Sequence, residues 1–287
     1  MKLLVPATLA FGVAIAAMAT VPFAHRPVDA ALPPVETVTV APGSFAFRLP
    51  GEYLKGGWPV DAPMRTVAFK RGFEIIKYQV RAADYAQCVA DGACEPPDAR
   101  GADSADMPMT GVSFRDATAY ASWLSGKTGE NWRLPTDEEW AYAAAERLHD
   151  DALGLPQDSA NPAERWLARY RAEAGTGGRD AEPKPLGYFG ANAKGLADVA
   201  GNVWEWTTTC YLRATVADDG KLTQGTENCG VRVVGGRHRG YMSNFIRDGK
   251  SGGCAAGIAP DNLGIRLIRD APSLLSTFKT FWARTAG

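Results

Sequence analysis

Gly195-Leu196-Ala197-Asp198-Val199-Ala200-Gly201-Asn202-Val203-Trp204-Glu205-Trp206 is the stretch on which the reading of this chain turns. Two carboxylates, Asp198 and Glu205, flank a Gly201-Asn202 turn, and Trp204 and Trp206 bracket Glu205. Hard cations such as calcium take several oxygens from carboxylates and backbone carbonyls. A tight turn can aim the carbonyls of Gly201 and Val203 at the point where both carboxylates meet. The same residues also read without a metal. Asp198 then caps a turn, Glu205 pairs with an arginine, and the tryptophans anchor a core.

Upstream, the spacing predicts two capped helices. Ser113 and Asp116 form an acidic capping box, and Ala117, Tyr120, Ala121 and Leu124 repeat at helical spacing as one buried stripe, stopped by Gly126 and Gly129. Thr136 and Glu139 make a second capping box, leading a helix to about Leu148. Arg81 to Ala90 reads as a further helix, residues 31–50 as extended chain, and Met64 to Ile76 as paired strand. Residues 150–184 read as a polar surface insertion with one helical piece around Ala163 to Ala172. From Pro185 to Asp270 the pattern is one of short strands and Gly-bearing turns. Leu274, Leu275, Phe278, Phe281 and Trp282 then fall at helical spacing, so 271–287 reads as a C-terminal amphipathic helix that docks on the body, a partner or a membrane surface.

Composition narrows the class. Among 287 residues there are 31 Gly, 19 Pro and 8 Trp, which favours a loop-rich fold held by aromatic anchors over a helical bundle. A formal net charge of -1 gives no basic field for nucleic acid. The only histidines, His25, His149 and His238, show no zinc-hydrolase spacing, and no P-loop or G-x-S-x-G elbow occurs.

Lys2 followed by an apolar run to about Ala24, with Ala17-Met18-Ala19 as an A-x-A-like site, reads as a signal peptide over 1–30. At roughly 20 residues the run is also long enough to remain as a membrane anchor. Either way a periplasmic or secreted location is expected, and the cysteines read as disulfide material. Cys88 with Cys94 closes a small loop. Cys210 with Cys229 staples the base of a polar segment, and Cys254 is left over, either a buried thiol or a reactive one.

Three segments together carry a family resemblance. They are Met109-Thr110-Gly111-Val112-Ser113-Phe114-Arg115-Asp116-Ala117, continuing to Tyr120 and Trp123-Leu124; Trp132-Arg133-Leu134-Pro135-Thr136-Asp137-Glu138-Glu139-Trp140 with its following alanines; and Asn192 to Trp206. A weaker fourth is Arg232-Val233-Val234-Gly235-Gly236, closed by Asn262-Leu263-Gly264-Ile265-Arg266-Leu267. In order and spacing, over residues 35–270, they resemble the formylglycine-generating enzyme (sulfatase-modifying factor) family. The resemblance implies one α+β domain over 31–270, loop-rich and C-type-lectin-like. It also implies a structural calcium held by Asp198, Gly201, Val203 and Glu205.

The chain departs from that family where the chemistry lies. The resemblance implies two copper-binding cysteines shortly after Gly235-Gly236, one of which helps oxidise a substrate cysteine to formylglycine. The aligned positions here are Gly240 and Phe245, so copper and formylglycine generation are not expected. The stretch instead offers Arg237, His238, Arg239 and Tyr241, then Arg247 and Lys250. Guanidinium groups suit carboxylate, sulfate or phosphate, on a protein or a small acidic ligand in the cleft, or they pair internally with Asp248, Asp261 or Asp270. His238 is the one group titrating near neutral pH, and beside Cys254 it would favour a thiolate.

Three functions fit. The first is a periplasmic binding or accessory protein, which resembles relatives that assist periplasmic metalloenzymes such as copper nitrite reductase. The second is an oxidase of altered chemistry centred on Arg237-His238-Arg239 and Cys254, with His238, Tyr241 and Cys254 as catalytic candidates; relatives in siderophore maturation share this scaffold. The third is a structural envelope domain, with membrane contact only through an uncleaved N-terminus or the C-terminal helix.

Overall fold

The computed structural model describes residues 34–98, 106–154, 161–175, 182–249 and 262–269. The expected leader, Lys250, Cys254 and the C-terminal helix lie outside the described residues. Six strands open the described chain: β1 (Thr37–Val40), β2 (Gly43–Arg48), β3 (Glu52–Lys55), β4 (Trp58–Val60), β5 (Met64–Phe69) and β6 (Phe73–Ile76). Then come α1 (Ala82–Ala90), α2 (Phe114–Thr128), β7 (Trp132–Arg133), α3 (Asp137–Ala144) and α4 (Pro162–Gly175). The described chain ends with β8 (Trp204–Val216), β9 (Leu222–Gly235), β10 (Gly240–Ser243), β11 (Leu263–Gly264) and β12 (Ile268–Arg269). Among the described residues no helix is long and apolar enough to cross a membrane.

Both capping boxes form. The Ser113 hydroxyl accepts the Asp116 N–H at 3.2 Å while Asp116 Oδ2 accepts the Ser113 N–H at 2.8 Å. At α3 the Thr136 hydroxyl accepts the Glu139 N–H at 3.1 Å and Glu139 accepts the Thr136 N–H at 2.8 Å. These reciprocal bonds satisfy donors that an open first turn leaves bare. Gly126 does not stop α2; the helix runs to Thr128 and ends at Gly129, whose φ of 71° is left-handed. Helix α3 ends at Ala144, short of the expected Leu148. Ala145 takes a φ of 51°, and one 3₁₀ turn, Ala145–Arg147, follows. The insertion helix is longer than expected, and its Trp166 and Tyr170 stack at 5.8 Å in solvent.

Three sheets result. One is four-stranded in the order β1-β6-β12-β7, one is six-stranded, and β2 pairs with β5 alone. In the six-stranded sheet the order is β10-β9-β8-β3-β4, with β11 added alongside β8. The expectation of short strands after Pro185 fails here: β8 and β9 are 13 and 14 residues long and form one hairpin. The outer half of β9 is exposed and rich in Thr, Gly, Gln and Asn, so it carries no alternating apolar signal. The Cys210–Cys229 disulfide ties the two arms together, and Cys88–Cys94 closes the turn after α1. Helices and mixed sheets in one chain are the expected α+β class.

Two glycines let the core close. A Cβ on Gly235 would come within 2.5 Å of the Trp140 ring, and one on Gly236 within 2.5 Å of the Trp204 ring. The Gly-Gly pair is thus where α3 and β8 press their indoles onto the backbone leading into the cleft.

Candidate functional site

Glu205 lies on β8 with none of its surface exposed, and so does Arg266 between β11 and β12. Arg266 Nε donates to Glu205 Oε2 at 2.7 Å and Nη2 to Oε1 at 2.9 Å. The same carboxylate accepts from Gln79 Nε2 and Trp140 Nε1, each at 2.7 Å. The rest of the guanidinium donates to the carbonyls of Ile76, Lys77 and Ala197. Each Glu205 oxygen takes two donors and every Arg266 N–H has an acceptor, which is the condition for holding a buried ion pair.

Asp198 is occupied in a different way. Its φ is 59°, and its carboxylate accepts the N–H of Phe189 at 2.9 Å and that of Gly187. Its carbonyl accepts the N–H groups of Gly201 and Asn202 at 3.1 and 3.3 Å. A calcium ion bound by Asp198, Gly201, Val203 and Glu205 would need the Glu205 oxygens that four N–H donors fill, and its charge would face the Arg266 guanidinium. The residues as arranged do not fit calcium. They fit the other reading of the same sequence, a capped turn beside a carboxylate–arginine pair.

The cleft follows Gly235–Gly236. Arg239 is held between carboxylates, with Nε 3.0 Å from Asp137 and Nη1 2.6 Å from Asp151, and Nη2 donates to the Arg48 carbonyl at 3.2 Å. Burial opposes the Arg239 charge, but Asp137 and Asp151 more than offset it and hold its pKa above the ordinary arginine value. Arg247 is likewise committed. Its Nε and Nη2 grip both Asp116 oxygens at 2.7 and 2.8 Å, and Nη1 reaches Asp98 at 3.0 Å. These two expected ligand-binding arginines are internal ties. Among the described residues their partners are Asp137 and Asp151, and Asp116 and Asp98, of which Asp137 and Asp116 belong to helix N-termini; the foreseen Asp261 and Asp270 lie outside the described residues. Arg237 is exposed and has no ion pair among the described residues.

Tyr241 accepts the Gly51 N–H at 2.6 Å and packs edge-on against Tyr211, so its phenol is also engaged. Burial, opposed by Arg239, keeps that phenol above the ordinary tyrosine range. His238 differs. With Nδ1 3.0 Å from the Arg239 carbonyl, the ring donates there, which leaves Nε2 as an acceptor. That Nε2 is buried and has no hydrogen-bond partner among the described residues. The residue lines a small cavity with His149, Asp137, Asp151, Gly235 and Gly236. Residue spacing carries no signal that His149 and His238 line one cavity, nor that Gln79, Trp140 and Arg266 converge on Glu205.

Of the two positions aligned with the copper-binding cysteines, Gly240 is buried and pairs with Val234, whereas Phe245 is 67% exposed. Neither offers a metal ligand.

The chain is 42% identical over 115 residues to the formylglycine-generating enzyme of Mycobacterium tuberculosis, covering 38% of this chain and 35% of that protein. It is 31% identical over 172 residues to the inactive C-alpha-formylglycine-generating enzyme 2 of Bos taurus, covering 58% of this chain and 51% of that protein. It therefore spans between about a third and a half of the length of these curated relatives. PvdO from Pseudomonas aeruginosa superposes with a TM-score of 0.52 at 22% identity, over 82% of this chain and 94% of that one, a likeness of fold. The model of the sulfatase-modifying factor enzyme 1-like domain matches residues 24–271, and the chain belongs to that family.

Proposed function

We propose that this is an exported, periplasmic member of the family that binds a protein or a small acidic ligand at its cleft, as an accessory to a periplasmic metalloenzyme of the copper nitrite reductase kind. The observation that carries the reading is that Gly240 and Phe245 stand at the two positions where the resemblance puts thiolates, in a chain whose residues 24–271 match the family. Copper needs soft ligands, and a glycine and an exposed phenylalanine supply none. Arg237 supports an acidic contact, since it is the cleft arginine left outside the Arg239 and Arg247 ties.

The test is the metal content of protein purified from the periplasm without added metal or chelator, together with an assay on a sulfatase-type cysteine peptide. Absence of copper and of formylglycine product is expected, as is loss of partner capture in Arg237→Glu. Stoichiometric copper or iron would overturn the reading.

A second reading rests on His238. A buried ring nitrogen without a hydrogen-bond partner, on a residue that lines a cavity with two aspartates, suits proton transfer, as an oxidase of altered chemistry would need. In that case His238→Gln abolishes turnover while leaving thermal stability near wild type.

A further inference from the structure

The two disulfides sit in different surroundings. Cys88 is fully buried and Cys94 is 8% exposed, at the end of α1. Cys210 is 9% exposed on β8, but Cys229 stands open to solvent on β9. Arg232 reaches across the hairpin and places Nη1 3.0 Å from Cys210 Sγ. Its guanidinium is fixed by a bond to the Thr208 carbonyl and lies over the Phe114 ring at 4.5 Å. Its Nε is buried without a partner among the described residues. The hairpin register slips on both sides of Cys210, so the disulfide fastens the strands where their ladder is irregular.

Next to it runs the end of β10. Asn244 donates its N–H to the Gly230 carbonyl at 3.0 Å and its side-chain amide to the Cys229 carbonyl at 2.9 Å. The exposed Phe245 follows directly in the chain.

We propose that Cys210–Cys229 is a thiol-exchange site, attacked at Cys229 and opened with Cys210 as the leaving thiolate. An incoming thiolate bonds to Cys229 Sγ as the Cys210–Cys229 bond breaks, and the electron pair goes to Cys210 Sγ beside the Arg232 guanidinium. A second thiolate then attacks the incoming sulfur, forms the reductant's disulfide and releases Cys229. Two electrons pass to the protein, and the two protons of the attacking thiols are taken up by the freed cysteines through solvent. A neighbouring guanidinium favours thiolate over thiol, and a better leaving thiolate speeds exchange. Glu227 is the opposing charge, with its carboxylate within 4.8 Å of both sulfurs. It is exposed and therefore screened. The reductant is a thiol, either small or carried as a dithiol on a protein. The inference does not depend on what the cleft binds.

The intact protein is titrated in graded glutathione redox buffers, quenched, alkylated and mapped by peptide mass. A parallel series uses a reduced Cys-X-X-Cys peptide, and whichever reductant acts at the lower concentration identifies the source. Cys210 and Cys229 are expected to open at about tenfold lower reducing strength than Cys88 and Cys94, with the early glutathione adduct on Cys229. Arg232→Gln is expected to slow opening about tenfold, and Arg232→Lys to restore part of the rate. If Cys88–Cys94 opens first or together with it, or the adduct forms on Cys210, the proposal fails. Both readouts use wild-type protein, so they stand even where Arg232→Gln folds poorly. A folded Arg232→Gln that opens at the wild-type rate also overturns it.

Discussion

Arg266 and Glu205 meet with no exposed surface, the guanidinium Nε 2.7 Å from one carboxylate oxygen and Nη2 2.9 Å from the other. Removing Arg266 strands the Glu205 charge and three backbone carbonyls in the core, and removing Glu205 strands the guanidinium with the Gln79 and Trp140 donors. Arg266→Ala or Glu205→Ala is expected to cost about 3–5 kcal/mol, read as a shift of the urea midpoint. The double variant should lose less than the sum of the two, because the stranded charge disappears with its partner.

Calcium gives a direct contrast. A resident calcium at about 100 times its Kd would add about 2.7 kcal/mol of stability. With Glu205 already saturated, melting in excess calcium and in chelator is expected to coincide within about 1 °C. A large chelator-dependent drop in Tm would restore the cation cage at Asp198, Gly201, Val203 and Glu205.

The glycine pair predicts a steric result. Gly235→Ala brings a methyl carbon into the Trp140 indole at 2.5 Å, and Gly236→Ala does the same against Trp204. Each is expected to destabilise by about 1–3 kcal/mol in chemical denaturation. Trp140 also donates to Glu205, so Gly235→Ala should disturb tryptophan fluorescence as well.

Acid stability follows from Glu139. Burial alone would raise its pKa, but the bidentate Arg133 and the Thr136 N–H outweigh burial and hold it below 4.5. A depressed folded-state pKa gives stability that is present above the unfolded value and lost as pH falls through the folded one. Stability should therefore decline below about pH 4.5, and Glu139→Gln should flatten that decline while lowering the neutral-pH plateau.

Helices α2 and α3 were legible because their start signals are local: Ser113 with Asp116 and Thr136 with Glu139 lie three residues apart and bond to each other. The disulfides were legible for a similar reason, since both pairs bracket one compact segment. The length of the β8–β9 hairpin was hidden because the outer half of β9 is exposed throughout and carries no hydrophobic period. The site was legible in position but not in wiring. Glu205 finds Arg266 61 residues later, and Arg239 finds Asp151 88 residues earlier. Nothing in the composition of the intervening chain ranks Arg266 above the other arginines, or Asp151 above Asp248. Only the closure of three sheets around one core decides those partners.

The place of β12 sets a timetable. The last described strand inserts between β6 and β7 and completes the four-stranded sheet, with Ile268 facing Ile75 on one side and Arg133 on the other. Residues made early thus wait for residues made late. Wherever the chain folds, β6 and β7 have no shared partner until β12 arrives, so completing this sheet is a non-local step that ties folding of the early strands to the last described one.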